Sequence, residues 1–268
     1  GGTQVTTKAN SGTTGEWLID PTDFTISDSN DPQTASGIGA DTLSANLANN
    51  SITLQTVASG SEAGDINVQA AVTWNADTTL TLNAHNDINI NAAITAQGAN
   101  GKVALQYGQA TTDGGTADYH INAPINLQSG NNFTTQKGST GSVISYTVVN
   151  DAAALQAMNS DLAVNYAVGS NIDLSSISNW QPVGESDRFT GTFNGLGHTL
   201  SNLTINRSST DFVGLFGATA SGSVVRDIGL VGGSVSGRNH VGGLAGVSSG
   251  IISNAYATGS VEGSETST

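Results

Sequence analysis

The residues able to do chemistry in this chain are few and scattered. Charged side chains make up 10 % of its 268 residues, against roughly 25 % in an ordinary soluble domain. The densest acidic group is Asp20, Asp23, Asp28 and Asp31. Four carboxylates could hold a Ca²⁺, but calcium loops read Asp-x-Asp-x-Asp-Gly or Gly-Gly-x-Gly-x-Asp. Neither spacing occurs here, so solvated loop charges are the expectation. His85, His120, His198 and His240 share no His-x-x-x-His ligand spacing. All four read as turn or surface residues, His198 after Gly197 included. Gly214, Gly217, Gly242, Gly243 and Gly246 resemble a phosphate loop only until the missing Gly-Lys-Ser/Thr is noticed, and they fit backbone corners better. With no cysteine there is no disulfide, thiolate ligand or thiol nucleophile. The expectation is no catalytic residue, no cofactor and no metal.

A contact function has one better candidate. Gly108–Tyr119 is a polar stretch flanked by Tyr107 and Tyr119, with Asp113 near its middle. Loops inserted between repeats gather on one face and often carry binding, and aromatic faces can stack on a sugar. Tyr107, Asp113 and Tyr119 are therefore the expected contact residues. A plain surface excursion is the commoner alternative. Four Asn-x-Ser/Thr sequons begin at Asn49, Asn132, Asn202 and Asn206.

What must position such a loop is a repeat. Ile66-Asn-Val-Gln-Ala-Ala-Val-Thr-Trp74 superposes on Ile88-Asn-Ile-Asn-Ala-Ala-Ile-Thr-Ala96 at an offset of 22 residues. The large apolar residues Ile66, Val68, Val72, Trp74, Leu80, Leu82, Ile88, Ile90 and Ile94 share one parity. Such alternation turns one face of each strand inward and the other to water. Three short strands per repeat suit one turn of a right-handed parallel β-helix, which hides its apolar face only by stacking on its neighbours. The fold class expected is all-β, with one short helix and side loops. Ile121–Leu127 echoes Ile90–Ile94 after the polar loop.

The helix is expected over Asn150–Asp161, where Leu155, Met158 and Leu162 form one stripe and Asp151 stands near the start. Asp41–Asn50 carries Leu43 and Leu47 at helical spacing and reads as one or two turns, capped by Asp41 or Thr42. Strands are expected to return from Tyr166, and a second repeat begins near Phe212. Val213–Gly217 is answered by Val241–Gly246, Val224–Leu230 by Ile251–Ala257, and Gly233-Ser-Val by Gly259-Ser-Val. Two segments follow, 1–145 and 146–268, the second opening on the helix and continuous with the first.

Composition narrows the partners. A net charge of −14 with only seven Lys and Arg opposes nucleic-acid binding. No apolar run approaches the roughly 18 residues that span a bilayer, so no membrane insertion is expected. Gly1–Val5 lacks signal-peptide character and Glu262–Thr268 reads as a frayed tail, as in a piece cut from a longer protein.

The repeats carry a resemblance. Ile66–Ala96, with its central Leu80–Ile90, and Trp17-Leu-Ile-Asp-Pro21 are similar to filamentous-haemagglutinin-type exoproteins. Trp180-Gln-Pro-Val-Gly184, Phe189–His198 and Val213–Gly217 resemble the GLUG repeats of bacterial surface adhesins. The resemblance implies a β-helical segment of a two-partner-secreted adhesin at the surface of a Gram-negative bacterium. It implies a host-cell or bacterial receptor or glycan as partner, and an outer-membrane transporter for the parent protein. The alternatives are a polysaccharide-active β-helix enzyme, which would need clustered carboxylates, or a glycan-binding module.

Overall fold

A computed structural model of the chain describes residues 16–19, 22–57 and 62–264. The protein is almost entirely β-strand, and its strand pairings are parallel. It divides into two compact units, Gly1–Tyr146 and Thr147–Thr268.

The first unit opens with β1 (Glu16–Ile19), β2 (Phe24–Ser27), β3 (Gly37–Gly39) and helix α1 (Ala40–Leu47). Then come β4 (Ser51–Gln55), β5 (Ile66–Val68), β6 (Val72–Trp74), β7 (Thr79–Asn83), β8 (Ile88–Ile90) and β9 (Ile94–Ala96). It continues with β10 (Lys102–Tyr107), β11 (Tyr119–Ile121), β12 (Ile125–Asn126) and β13 (Gly130–Lys137), and the division falls inside β14 (Ile144–Val149). Strands three apart in sequence pair, so three ladders run side by side: β4-β7-β10-β13, β5-β8-β11 and β6-β9-β12.

The register is the one that side-chain parity requires. Ile66 lies beside Ile88 and Val68 beside Ile90, while Val72 meets Ile94 and Trp74 meets Ala96. In the next repeat, which is longer because it includes the polar loop, Ile88 pairs with Tyr119, Ile90 with Ile121 and Ile94 with Ile125. All these side chains are buried. Each aliphatic so removed from water contributes roughly 1.5–3 kcal/mol, and a one-residue slip would turn the whole set outward.

The outward positions also repeat. Asn89 Nδ2 donates to Asn67 Oδ1 at 3.0 Å, and Asn122 Nδ2 to Asn91 Oδ1 at 2.8 Å. At one corner, Asp23 Oδ1 accepts from the backbone N–H of Gly64 and Asp65 at 2.8 Å. Asp65 Oδ1 accepts from Asp87 N–H at 3.0 Å, and Asp87 Oδ1 from Asp118 N–H at 2.9 Å. Each carboxylate thus satisfies a turn donor on the next repeat, where the strand ladder has none to offer.

Among the described residues two α-helices form rather than the one expected, and the longer is α1. Its N-cap is Gly39, without a side-chain cap. Thr42 does not cap it, because Thr42 Oγ1 donates instead to Asn30 C=O at 2.9 Å. Leu43 and Leu47 are fully buried. The helix runs along β6, the edge strand of its ladder: Ser44 Oγ accepts from Thr73 N–H at 3.1 Å, and Leu47 C=O from Thr78 Oγ1 at 2.5 Å.

The second unit contains α2 (Ala152–Gln156), tightening into a 3-10 turn at Ala157–Ser160. Asp151 caps α2 by accepting from Ala154 N–H at 2.8 Å. Leu155 and Met158 are buried, while Leu162 lies past the helix and is partly buried. Then follow β15 (Tyr166–Val168), β16 (Ile172–Asp173), β17 (Thr192–Asn194), β18 (Thr199–Ser201), β19 (Thr204–Asn206) and β20 (Phe216–Thr219). The unit ends with β21 (Val224–Val231), β22 (Ser234–Gly237), β23 (Ala245–Ser248), β24 (Ile251–Ala257) and β25 (Ser260–Gly263). Val224 pairs with Ile251 and Leu230 with Ala257, Ser234 with Ser260, and Phe216 with Ala245.

Its core contains a cluster of phenylalanines among many aliphatic side chains. Phe216 sits between Phe189 and Phe193, with ring centroids 5.1 and 5.3 Å away. Trp180 is fully buried and its Nε1–H donates to Leu215 C=O at 3.1 Å.

Candidate contact surface

The polar excursion between β10 and β11 is an ordered shelf. On one side Gly108, Gln109 and Ala110 donate N–H bonds to the carbonyls of Asn86, Ala84 and His85 at 2.8, 3.1 and 3.0 Å. On the other side Thr111 and Thr112 C=O accept from Ser139 and Thr140 N–H at 2.9 and 3.3 Å. Gly138 makes this fit possible. Its φ is +76°, and a Cβ there would lie 2.4 Å from Thr112 C=O.

The exposed rim carries Thr111, Thr112, Asp113 and Thr116 from the loop and Lys137, Ser139 and Thr140 from the segment beside it. Asp113 Oδ1 accepts from Gly115 N–H at 3.0 Å and from Thr111 Oγ1 at 3.1 Å. The Gly115 bond above all, then Thr111 and the charge of Lys137, hold its carboxyl below the usual carboxylate range. The shelf therefore presents hydroxyls around a fixed anion beside a cation. Such a surface can hydrogen-bond a polyhydroxylated ligand.

Of the three expected contact residues, only Asp113 is on this surface. Tyr107 is 9 % and Tyr119 2 % exposed, and their rings pack edge to face with centroids 5.1 Å apart. Both point into the core, so neither can stack on a sugar. Tyr107 continues the inward parity of Val103 and Leu105, and Tyr119 that of Ile121. The rim hydroxyls of Thr111, Thr112 and Thr140 were not among the expected contact residues. Their signal was the run of small polar residues at the two loop tips.

The remaining candidates are dispersed. His198 is a buried residue, not a surface turn; it is 3 % exposed, with Nδ1 3.3 Å from Asn171 Oδ1. His120 is exposed, with Nε2 3.6 Å from Asp87 Oδ2. His240 is exposed and stacks on Phe212 with centroids 4.9 Å apart. Of the acidic group, Asp20 lies outside the described residues, Asp23 faces the backbone as above, and Asp28 and Asp31 are exposed. No group of three or more His, Cys, Asp or Glu side chains suited to a metal occurs among the described residues.

Gly217 and Gly246 mark close backbone approach: a Cβ would lie 2.8 Å from Glu185 Cα and 2.6 Å from His240 C=O, respectively. Among the sequons, Asn49 and Asn206 are exposed. Asn132 is buried and donates to the carbonyls of Ala99 and Gln128 at 3.0 Å. Asn202 is exposed, and its Nδ2 donates to Asp173 Oδ1 at 2.9 Å. In the second unit a cleft of about 130 Å³ is lined by Asn159, Gln181, Glu185 and Asp187 among others. The Glu185 carboxylate accepts from Arg207 Nη1 at 3.2 and 3.3 Å. No helix among the described residues is long and apolar enough to cross a membrane.

No protein-family model and no solved structure matches the chain. It is 33 % identical over 151 residues to Halomucin of Haloquadratum walsbyi, covering 52 % of this chain and 2 % of that protein. It is 34 % identical over 79 residues to a "Putative Gly-rich membrane protein" of Evansella cellulosilytica, covering 28 % of this chain and 9 % of that protein. The chain thus spans less than a tenth of the length of either relative, and neither bears a haemagglutinin name.

Proposed function

We propose that the chain is a non-catalytic structural segment of a cell-surface adhesin, wound as a right-handed parallel β-helix. Its work is to extend the parent protein from the surface and to present the shelf around Asp113 to a glycan or receptor. The observation that carries the reading is the register of the first unit, in which Val68 lies beside Ile90 and Ile90 beside Ile121. Such stacking lengthens by adding repeats, without a closed globular core. The handedness follows from the strong preference of parallel crossover connections for the right-handed sense. The membrane-protein name of the second relative supports a surface or membrane-associated location. Export from a Gram-negative cell through an outer-membrane transporter rests on the haemagglutinin and GLUG resemblance alone.

The test is a glycan array and a cell-adhesion assay with the purified chain immobilised on beads. Specific retention is expected. The triple substitution Thr111→Ala, Thr112→Ala, Asp113→Ala should weaken it about tenfold or more, the loss of one or two hydrogen bonds. Retention unchanged by the triple variant would remove the shelf from the account. No retention on any glycan or cell type would remove the adhesive reading.

A further inference from the structure

The cleft of about 130 Å³ in the second unit is braced from two sides. On one side stand α2 and the turn that follows it. Gln156 Nε2 donates to Gln181 C=O at 2.8 Å, and Gln181 N–H returns a bond to Gln156 Oε1 at 3.0 Å. Asn159 Oδ1 accepts from Gly184 N–H at 3.1 Å. On the other side, Val183 and Gly184 C=O accept from Gly217 and Ala218 N–H at 2.8 and 3.2 Å, which ties the segment to β20. Gly184 makes the turn between them: its φ is +73°, and a Cβ there would lie 2.8 Å from Asp187 C=O. The cleft therefore has protein on both sides and is not the open end of a ladder.

Its lining sorts by chemistry. The Glu185 carboxylate is held, and its charge offset, by Arg207, whose Nη1 lies 3.2 and 3.3 Å from the two oxygens. Gln181, Ser186 and Asp187 line the cleft with exposed side chains, and Leu162 gives it one apolar wall. Two carboxylates accept and do not donate, so they disfavour an anion and favour a ligand rich in O–H groups, whose bonds to them are charge-assisted. A compact cation would leave the donors of Gln181 and Ser186 unmatched, whereas a sugar carries donors and acceptors together. The volume is well below the roughly 300–1,000 Å³ of a drug-sized pocket, which limits the occupant to one edge of a single ring. We propose that this cleft is a second glycan-binding site, which takes one neutral monosaccharide unit. Glu185 and Asp187 accept from its hydroxyls, Gln181 and Ser186 donate to its oxygens, and Leu162 lies against its C–H groups. The site shares no residue with the shelf around Asp113 and does not depend on it.

Nuclear magnetic resonance of the nitrogen-labelled 268-residue chain, titrated with glucose, galactose, mannose and N-acetylglucosamine, tests this. With at least one of these sugars, the backbone amides of Gly184, Glu185, Ser186 and Asp187 and the side-chain amides of Asn159 and Gln181 should shift saturably. The expected dissociation constant is on the order of millimolar, as a few hydrogen bonds without aromatic stacking give. Gln181→Ala with Asp187→Ala should weaken binding about tenfold or more. Both side chains are exposed, so unshifted resonances elsewhere should show the fold intact. The shelf variant Thr111→Ala, Thr112→Ala, Asp113→Ala should leave this titration unchanged, which separates the cleft from the adhesive reading. The proposal is overturned if no sugar shifts these amides at about 100 mM. It is also overturned if the double variant binds as well as the unsubstituted chain, or if methylammonium shifts the amides and sugars do not.

Discussion

The two units solve one packing problem by different means. In the first, aliphatic side chains stack like on like in successive repeats, with Trp74, Tyr107, Tyr119 and Phe133 buried among them and Asp or Asn at the corners. In the second, Phe189, Phe193 and Phe216 form one ring cluster within a core that also holds Trp180 and many Val, Leu and Ile side chains. The corners differ as well. All six described non-glycine residues with left-handed backbone, from Leu196 to Asn254, lie in the second unit. Two stacked pairs account for four of them: Phe212 with His240, and Asp227 with Asn254, whose Nδ2 donates to Asp227 Oδ1 at 2.6 Å. A left-handed bulky residue costs on the order of 1–2 kcal/mol. Stacked rings and side-chain bonds offset that cost at a corner that glycine would form more cheaply. The first unit thus places its left-handed backbone on glycines such as Gly64, Gly108 and Gly138, whereas the second also places it on larger residues held by their neighbours.

The sharpest way to break this comparison is in the two cores. Phe216→Ala should destabilise the chain by about 3–5 kcal/mol, since it leaves a cavity between two remaining rings. Ile90→Ala should cost about 2–5 kcal/mol, spread over the neighbouring repeats that it touches. Chemical denaturation read by circular dichroism would check both. A cost under about 1 kcal/mol at either site, typical of surface positions, would contradict the packing described for that unit.

Next in size is Gly138→Ala. The left-handed backbone and the nearby Thr112 carbonyl should together cost about 1–3 kcal/mol, and hydrogen exchange should show the amides of Ser139 and Thr140 opening first. Exchange unchanged there would mean that the shelf is not held as described.

The smallest effect is with acid. Hydrogen bonds from Asn100 and Asn202 lower the carboxyls of Asp77 and Asp173, and Arg238 lowers Asp211 to about 2. Groups depressed in the folded chain stabilise it while ionised, above an unfolded value of about 4. That contribution disappears as pH falls through the folded values, with Asp211 the last of these to go. The unfolding temperature should be flat from pH 7 to about 5 and fall between about 4 and 2. In Asp211→Asn the fall below pH 3 should be shallower. A temperature that rose on acidification would reverse the sign.

Much of this was legible in the sequence because parity is strict. The inward set from Ile66 to Ile94 and its repeat follow directly from alternation. The same rule, carried two residues further, would have placed Tyr107 and Tyr119 inside. They read as loop residues because they flank a polar run, but strand parity outlasts the first residue of a loop. His198 shares the parity of Leu196 and Leu200, and is buried with them. Helical spacing revealed α1 but not that it covers a strand edge, which depends on the long-range pairing of Ser44 with Thr73. The corner carboxylates were hardest to read. Asp23 and Asp65 are 42 residues apart, and each accepts from a backbone N–H of the next repeat, which no residue type announces.

The central claim is the vertical register of the repeats, and disulfide trapping tests it most directly in a chain that has no cysteine of its own. Asn67→Cys with Asn89→Cys replaces two outward side chains already 3.0 Å apart, so near-complete oxidation is expected in the folded protein. Asn67→Cys with Asn91→Cys shifts one partner two residues along the chain, just past β8, and should oxidise only after unfolding. Faster or fuller bond formation by the shifted pair would contradict the stacking on which the fold, the shelf and the proposed function all rest.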